Sequence, residues 1–581
     1  MTRRRSTFWG QAIAFLDRSR RLGAVDLLLL LALGCAVFGL VRLAQQWTGT
    51  LEPAAAIDLS PRALPRYTLL SLSRGLAAYA LSLAFTLAYG YWAARDRVAE
   101  RVLIPLLDIL QSIPVLGFMP GLVLALVALF PHRNVGLELA AVLMIFTGQA
   151  WNMTFSFYYS LRNVPRDLSE AATLYRFSWW QRLRKVELPF ATIGLVWNSM
   201  MSMAGGWFFL MVSEAFQLGD RDFRLPGLGS YMSAAAAAGD RAAMLQAVLA
   251  MTAMIVLLDQ LLWRPVVVWA QKFRVEESGQ AEEMRSWFLE LLQRSRLPRL
   301  LRPVLRALRR GARRAPVDPT AQAAAAVRGR GRGAALVSAA LFAALLALLL
   351  FGAFEMVGLL RQLPLAEWGG IGLSALLTLL RVLGATVLGT LWAVPAGIAI
   401  GLSPRLSRVL QPVVQVVASF PAPMLFPAAV ALLAAAGVTL GVGSVVLMLL
   451  GTQWYILFNV VAGASAIPAD LREAARLYRF SPWQRFRRLY LPSVFPYLVT
   501  GWVTAAGGAW NASIVSEYVS YGGRSLATDG LGSRVSLAAA GARFPALAAS
   551  LLVMALVVVT FNRLVWRRLH RLAEDRFALT R

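Results

Sequence analysis

Apolar runs long enough to cross a bilayer recur from one end of this chain to the other, and they leave few folds open. A helix needs about 20 mostly apolar residues to span the hydrocarbon core. Helices are favoured there because lipid offers backbone N–H and C=O groups no partners. Twelve such spans can be read, at roughly 24–44, 68–94, 102–130, 137–160, 190–214, 243–270, 334–356, 371–401, 409–436, 440–462, 493–516 and 545–565. The balance of residues agrees: 58% are hydrophobic and 15% charged, where soluble domains carry about 25% charged residues. So many large apolar residues also exclude disorder. One cysteine, Cys35, excludes a disulfide framework or a multi-cysteine metal cluster, and two histidines, His132 and His570, leave little for histidine chemistry. The first apolar run is expected to stay as a span, since it is long and no small-residue cleavage site stands out.

Orientation follows from the basic residues, which outnumber the acidic ones 58 to 30. With the N-terminus inside, about 45 Lys and Arg fall on the cytoplasmic side and about 10 outside. This predicts both termini in the cytoplasm. Arg42, Arg74 and Arg381 fall within spans.

The chain is also two copies of one unit. Glu170-Ala171-Ala172 recurs as Glu473-Ala474-Ala475, Leu188-Pro189 as Leu491-Pro492, and Ser213-Glu214 as Ser516-Glu517, all at an offset of 303. Gly227-Leu228-Gly229 recurs as Gly530-Leu531-Gly532 at the same spacing. Upstream the offset is 307, linking Arg74 to Arg381, Pro114 to Pro421 and Pro120 to Pro427. A four-residue insertion or deletion near 130–140 accounts for the change. Six spans in each copy, in the same orientation, make parallel repeats about an axis along the membrane normal. The halves are expected at 1–270 and 334–581, joined by a basic cytoplasmic linker at 271–333 whose Met284–Leu292 stretch suits a short amphipathic helix. Attraction to anionic lipid headgroups explains its arginines better than nucleic-acid binding does.

The repeated Glu-Ala-Ala segment, about 166–188 and 469–491, resembles the EAA loop of permease subunits of type I ATP-binding-cassette importers. The flanking motifs around Arg74, Pro114 and the Ser-Glu … Gly-Leu-Gly signature, each present twice, resemble the nitrate, sulfonate and taurine branch. The resemblance covers nearly all of both halves. It implies an all-α integral membrane fold of about twelve helices, in which one chain forms the translocation pathway as an intramolecular pseudo-dimer in the bacterial inner membrane. It implies two cytoplasmic ATPase subunits gripping the loops through Glu170, Ala171, Ala172, Leu188 and Pro189, and through Glu473, Ala474, Ala475, Leu491 and Pro492. An external solute-binding protein would deliver a small solute such as nitrate, a sulfonate or taurine. One departure stands out: the family glycine is Arg176 in one loop and Arg479 in the other. Because Arg is disfavoured where φ is positive, the turn is expected to be rebuilt or the ATPase contact altered.

Other residues carry further expectations. Glu170 and Glu473 read as lying near helix starts, where a carboxylate meets favourable dipole charge. The intramembrane charges Arg74, Arg381 and Asp108 are either functional, with partners, or snorkelling at the interface; Asp108 faces the bundle on this reading. Glu214 and Glu517 end spans five and eleven, with Trp207 and Trp510 two helical turns earlier on the same face. The resemblance makes these four candidates for a gate or vestibule. Asn152 and Asn459 are added as pathway candidates because Asn152 is matched by Tyr455, and Asn459 by Ser156, so the halves differ along the path. Gly227, Gly229, Gly530 and Gly532 read as tight external turns, where by resemblance a binding protein docks. No metal site is expected. No phosphate-binding loop of the Gly-x-x-x-x-Gly-Lys type is present, so the chain is expected not to be an enzyme, and ATP and Mg²⁺ are assigned to partner subunits. Two other classes compete: a gradient-driven transporter of major-facilitator type, which shares the parallel six-plus-six plan, and a membrane scaffold. The first expects a charged signature after span two, and it leaves the duplicated loop unexplained.

Overall fold

The computed structural model describes residues 44–50, 55–112, 114–218, 221–273, 286–294, 332–521 and 524–577. The expected first span and most of the linker lie outside these residues. The first repeat holds α1 (Leu64–Arg95), α2 (Arg97–Ser112), α3 (Met119–Leu129) and α4 (Val135–Arg162). Two short helices, α5 (Arg166–Leu174) and α6 (Trp179–Arg182), then lead through a π-helical turn at Leu183–Glu187 into α7 (Leu188–Glu214). A hairpin of β1 (Ala215–Leu218) and β2 (Arg221–Arg224) follows, with α8 (Leu228–Ala238), α9 (Arg241–Leu258), a π turn at Asp259–Trp263 and α10 (Arg264–Ala270). Within the linker, α11 (Trp287–Arg294) covers much of the stretch expected to be an amphipathic helix.

The second repeat runs α12 (Arg332–Leu360), α13 (Leu365–Leu402), α14 (Pro404–Ser419), α15 (Phe426–Ala435) and α16 (Leu440–Ser465). It continues with α17 (Ala469–Leu477), α18 (Pro482–Arg485), a π turn at Phe486–Tyr490 and α19 (Leu491–Ser516). Hairpin strands β3 (Tyr518–Tyr521) and β4 (Arg524–Ala527) precede α20 (Leu531–Ala540), α21 (Phe544–Phe561), a π turn at Asn562–Trp566 and α22 (Arg567–Phe577). From α13 onward, element follows element as in the first repeat. Even the π turns recur at the offset of 303.

Among the described residues six helices are long and apolar enough to cross a membrane, and a seventh if one bent pair counts as a span. That pair corrects the sequence reading. The stretch 409–436 is two helices, α14 and α15, meeting at 80°, and 102–130 is likewise divided into α2 and α3. The cause is the proline at each break. A residue before proline is pushed out of the helical region, and Phe420, before Pro421, is extended at φ −72°, ψ 130°.

The chain divides into two compact units. One holds residues 1–46, 164–196 and 257–355, and so contains α5, α6, the start of α7, and α10 to α12 up to Glu355. In it the Trp287 indole N–H donates to Gln260 Oε1 at 3.1 Å. The other unit holds residues 47–163, 197–256 and 356–581. Its second-repeat core is built where α13, α16 and α19 pack, around Ala393, Val394, Ile456, Val460, Val494 and Leu498. Glycine permits the close crossing of α13 and α16: a Cβ at Gly397 would stand 2.7 Å from Val460. Gly90 plays the same part between α1 and α4, where a Cβ would meet Phe157 at 3.0 Å.

Candidate functional site

The duplicated loop is a helix, a left-handed turn and a second helix. Proline (Pro165, Pro468) caps each first helix, and Asp167 and Asp470 occupy its first turn. Glu170 and Glu473 therefore sit mid-helix, not at the helix start that the sequence suggested. Both are exposed, and neither makes an ion pair with a described residue. Ala172 and Ala475 are buried. Each helix ends in a Schellman motif: the Phe177 N–H donates to the Ala172 carbonyl at 2.9 Å and that of Arg176 to Thr173 at 3.0 Å. Phe480 and Arg479 repeat this with Ala475 and Arg476. The motif needs positive φ, which Arg176 and Arg479 adopt at 49° and 50°. The turn is thus not rebuilt around arginine; the side chain is carried at some cost in the conformation that glycine prefers.

The second helix starts with a capping box, Ser178 with Gln181 and Ser481 with Gln484. It then continues unbroken, so that Trp179–Glu214 forms one rod of 36 residues. Pro189 and Pro492 have no N–H to give the helical ladder. Just before each, the ladder widens: Leu188 N–H reaches Leu183 and Leu491 N–H reaches Phe486, five residues back. Apolar side chains stand out from both loops. Leu174 and Tyr175 are 83% and 77% exposed, Leu477 and Tyr478 82% and 79%.

A buried charge cluster surrounds Glu214, the last residue of α7, and a second surrounds Glu517, the residue after α19. Arg74 is fully enclosed. It holds Glu138 with two bonds of 2.6 and 2.7 Å and Glu214 with one of 2.7 Å. Ser71 donates to Glu214 at 2.7 Å and accepts from the Leu228 N–H at 2.9 Å. The Gly229 N–H reaches Glu214 at 2.7 Å. In the second repeat Arg381 pairs with Glu517 at 2.7 Å, Thr378 stands for Ser71, and Gly532 N–H donates at 2.8 Å. There the carbonyl of Gly441 takes the Arg381 Nε–H that Glu138 takes from Arg74. Arg74 is therefore not snorkelling. Sequence reading missed Glu138, whose only signal was a carboxylate inside an apolar run opposite an arginine.

The cluster also explains the glycines, which are buried and do not form free turns. Gly227 and Gly530 precede α8 and α20. A Cβ at Gly227 would lie 2.3 Å from the Glu214 carboxyl group, so the backbone can close over the carboxylate only without a side chain. Trp207 is 2% exposed and packs on Gly75, and Trp510 is 3% exposed. Asn152 is exposed, and Asn459 donates to the Tyr455 carbonyl in its own helix at 2.8 Å. Asp108 is exposed and accepts from Gln111 at 3.1 Å; the bundle-facing expectation is corrected here, because a carboxylate is costly to bury among apolar helices.

None of the six gate and pathway candidates lines either of two cavities in the larger unit. One, about 490 Å³, is walled by both repeats through equivalent residues: Met119 and Phe426, Pro120 and Pro427, Val212 and Val515. The hairpins help to line it through Phe216 and Val519. The other, about 90 Å³, is lined by Phe208, Gly205, Gln415, Trp454, Tyr455 and Asn511 among others. Here the Tyr455 ring lies 3.2 Å from where a Cβ on Gly508 would be, and its hydroxyl 3.6 Å from one on Gly205.

The profile of the family described as binding-protein-dependent transport system inner membrane component matches residues 86–262 and, a second time, 389–577. The chain belongs to this family. It is a multi-pass inner-membrane permease of two repeats, similar to the nitrate import permease NrtB of Synechococcus elongatus (28% identity, 26% of this chain, 52% of the relative). It is similar too to the bicarbonate transport system permease CmpB of Synechocystis (30%, 28% and 58%) and to the glycine betaine permease OpuAB of Bacillus subtilis (28%, 28% and 51%). The chain spans about half the length of the curated relatives it matches. The relatives are permease subunits, which fits a transport chain; the major-facilitator alternative finds no support in them.

Proposed function

We propose that this permease forms the solute path of an ATP-driven importer and takes its power stroke through the two loops. The carrying observation is the pair of exposed Leu-Tyr corners, Leu174-Tyr175 and Leu477-Tyr478, on helices whose exposed glutamates make no ion pair with a described residue. Exposed apolar and aromatic groups beside free charge suit a protein interface. Each loop continues through a π turn into a span that ends at the buried arginine, so a displacement of the loop reaches the outer hairpin through one helix. ATP with Mg²⁺ would be hydrolysed by two partner subunits. A solute-binding protein would approach the outer end, where the hairpins and the larger cavity lie. The solute is a small one such as nitrate, a sulfonate or taurine; the relatives named for bicarbonate and glycine betaine widen this to small oxygen-bearing solutes.

Co-expression with an ATPase subunit of the ATP-binding-cassette type tests the reading. Glu170→Ala with Glu473→Ala should abolish binding-protein-stimulated ATP hydrolysis without lowering the yield of permease. Gradient-driven uptake with no ATPase present would refute it.

A further inference from the structure

The smaller cavity breaks the symmetry of the repeats, and it does so at hydrogen-bonding groups. Val115 and Ala422 follow the equivalent prolines Pro114 and Pro421. The Val115 N–H donates to Asn511 Oδ1 at 2.8 Å. The residue in the place of Asn511 in the first repeat is Phe208, which offers no acceptor. Ala422 and Phe208 both line the cavity, and the Ala422 N–H has no hydrogen-bond partner among the described residues. Nor does the Tyr455 hydroxyl or the Gln415 amide, both on the same wall. The remaining lining sets Phe420, Trp454 and Phe458 among small residues, Gly and Ala chiefly, and includes no Lys, Arg, Asp or Glu.

Three uncommitted donors facing one small space call for acceptor oxygens. A bare anion would nevertheless be buried there with no counter-charge, which is costly. A solute carrying its own positive group is neutral overall, and that group is drawn to ring faces. At about 10–15 Å³ for each water-sized group, the cavity holds a solute of several heavy atoms. We propose that it is a transport site for a small zwitterion, with a carboxylate or sulfonate end on the Ala422 N–H and Tyr455 hydroxyl and an ammonium end against the rings. The proposal rests on the permease reading and narrows its substrate class.

Calorimetric titration of the full chain in nanodiscs tests it, with taurine, trimethylglycine and sodium nitrate as probes. Taurine or trimethylglycine should bind at least about tenfold more tightly than nitrate, and Tyr455→Phe should weaken that binding about tenfold, the worth of a hydrogen bond to a charged group. Phe208→Asn gives the Ala422 N–H an internal acceptor and should weaken it similarly, while Phe208→Leu retains it. Thermal unfolding of each variant shows whether it is folded. Nitrate binding as tightly as both zwitterions, or unchanged affinity in a folded Phe208→Asn variant, would overturn the proposal. Zwitterion binding by the unaltered chain, with ATP hydrolysis undiminished by Glu170→Ala with Glu473→Ala, would count against the loop reading and leave the cavity assignment standing.

Discussion

Arg74 shows how much one side chain can depend on its partners. Its guanidinium is bonded to two carboxylates and to the Pro226 carbonyl, all out of water. Removing one member of such a buried set leaves an uncompensated charge, worth roughly 3–5 kcal/mol. Arg74→Ala should lower the unfolding temperature of the detergent-solubilised chain sharply. Arg381→Ala should lower it less, since Arg381 keeps 12% of its side chain exposed and serves a single carboxylate. Equal shifts would show that enclosure is not what sets the cost. The left-handed arginines support a second expectation. Arg176→Gly with Arg479→Gly should stabilise the loops by about 1 kcal/mol each, because glycine carries no Cβ penalty at φ near 50°. Slower amide exchange at Phe177 and Phe480 would show it, and faster exchange would contradict it.

The elements differ in how openly the sequence announces them. The long spans were legible because an apolar run of bilayer length has few other uses, and the EAA-type loops because they occur twice. The breaks at Pro114 and Pro421 were written in the sequence too, but apolar content on both sides of each proline hid them. The hairpins went unread: strands of four residues are too short for alternation to stand out. The buried cluster was half legible, in that Arg74, Glu214 and Gly227 each drew notice, yet no local pattern brings together residues 140 positions apart. The small cavity was least legible, since aromatic residues and glycines in a span look like ordinary packing. At this scale the capping boxes give a third expectation. Ser178→Ala with Ser481→Ala should cost each short helix about 1 kcal/mol and speed amide exchange at Gln181 and Gln484, leaving α7 and α19 unaffected. Fraying that extended past the π turns into α7 and α19 would contradict this expectation.

For the whole molecule, the two repeats keep their machinery and vary their lining. Loop turns, π turns, the arginine–glutamate pair and the hairpins recur at equivalent positions. The small cavity's Phe208 and Asn511, which occupy equivalent positions, do not match, and its Tyr455 has Asn152, away from the cavity, as its counterpart. That is the pattern expected of a duplicated motor interface serving one solute path. The most direct measurement is site-specific crosslinking in the assembled complex, with Cys35 replaced and single cysteines placed at Leu174 or Leu477, alongside ATPase assays of Tyr175→Ala with Tyr478→Ala. The account predicts a crosslink from each loop to an ATPase subunit, and loss of solute-stimulated hydrolysis in the tyrosine variant. Loops that crosslink to no ATPase, with hydrolysis and uptake undiminished in that variant, would contradict it.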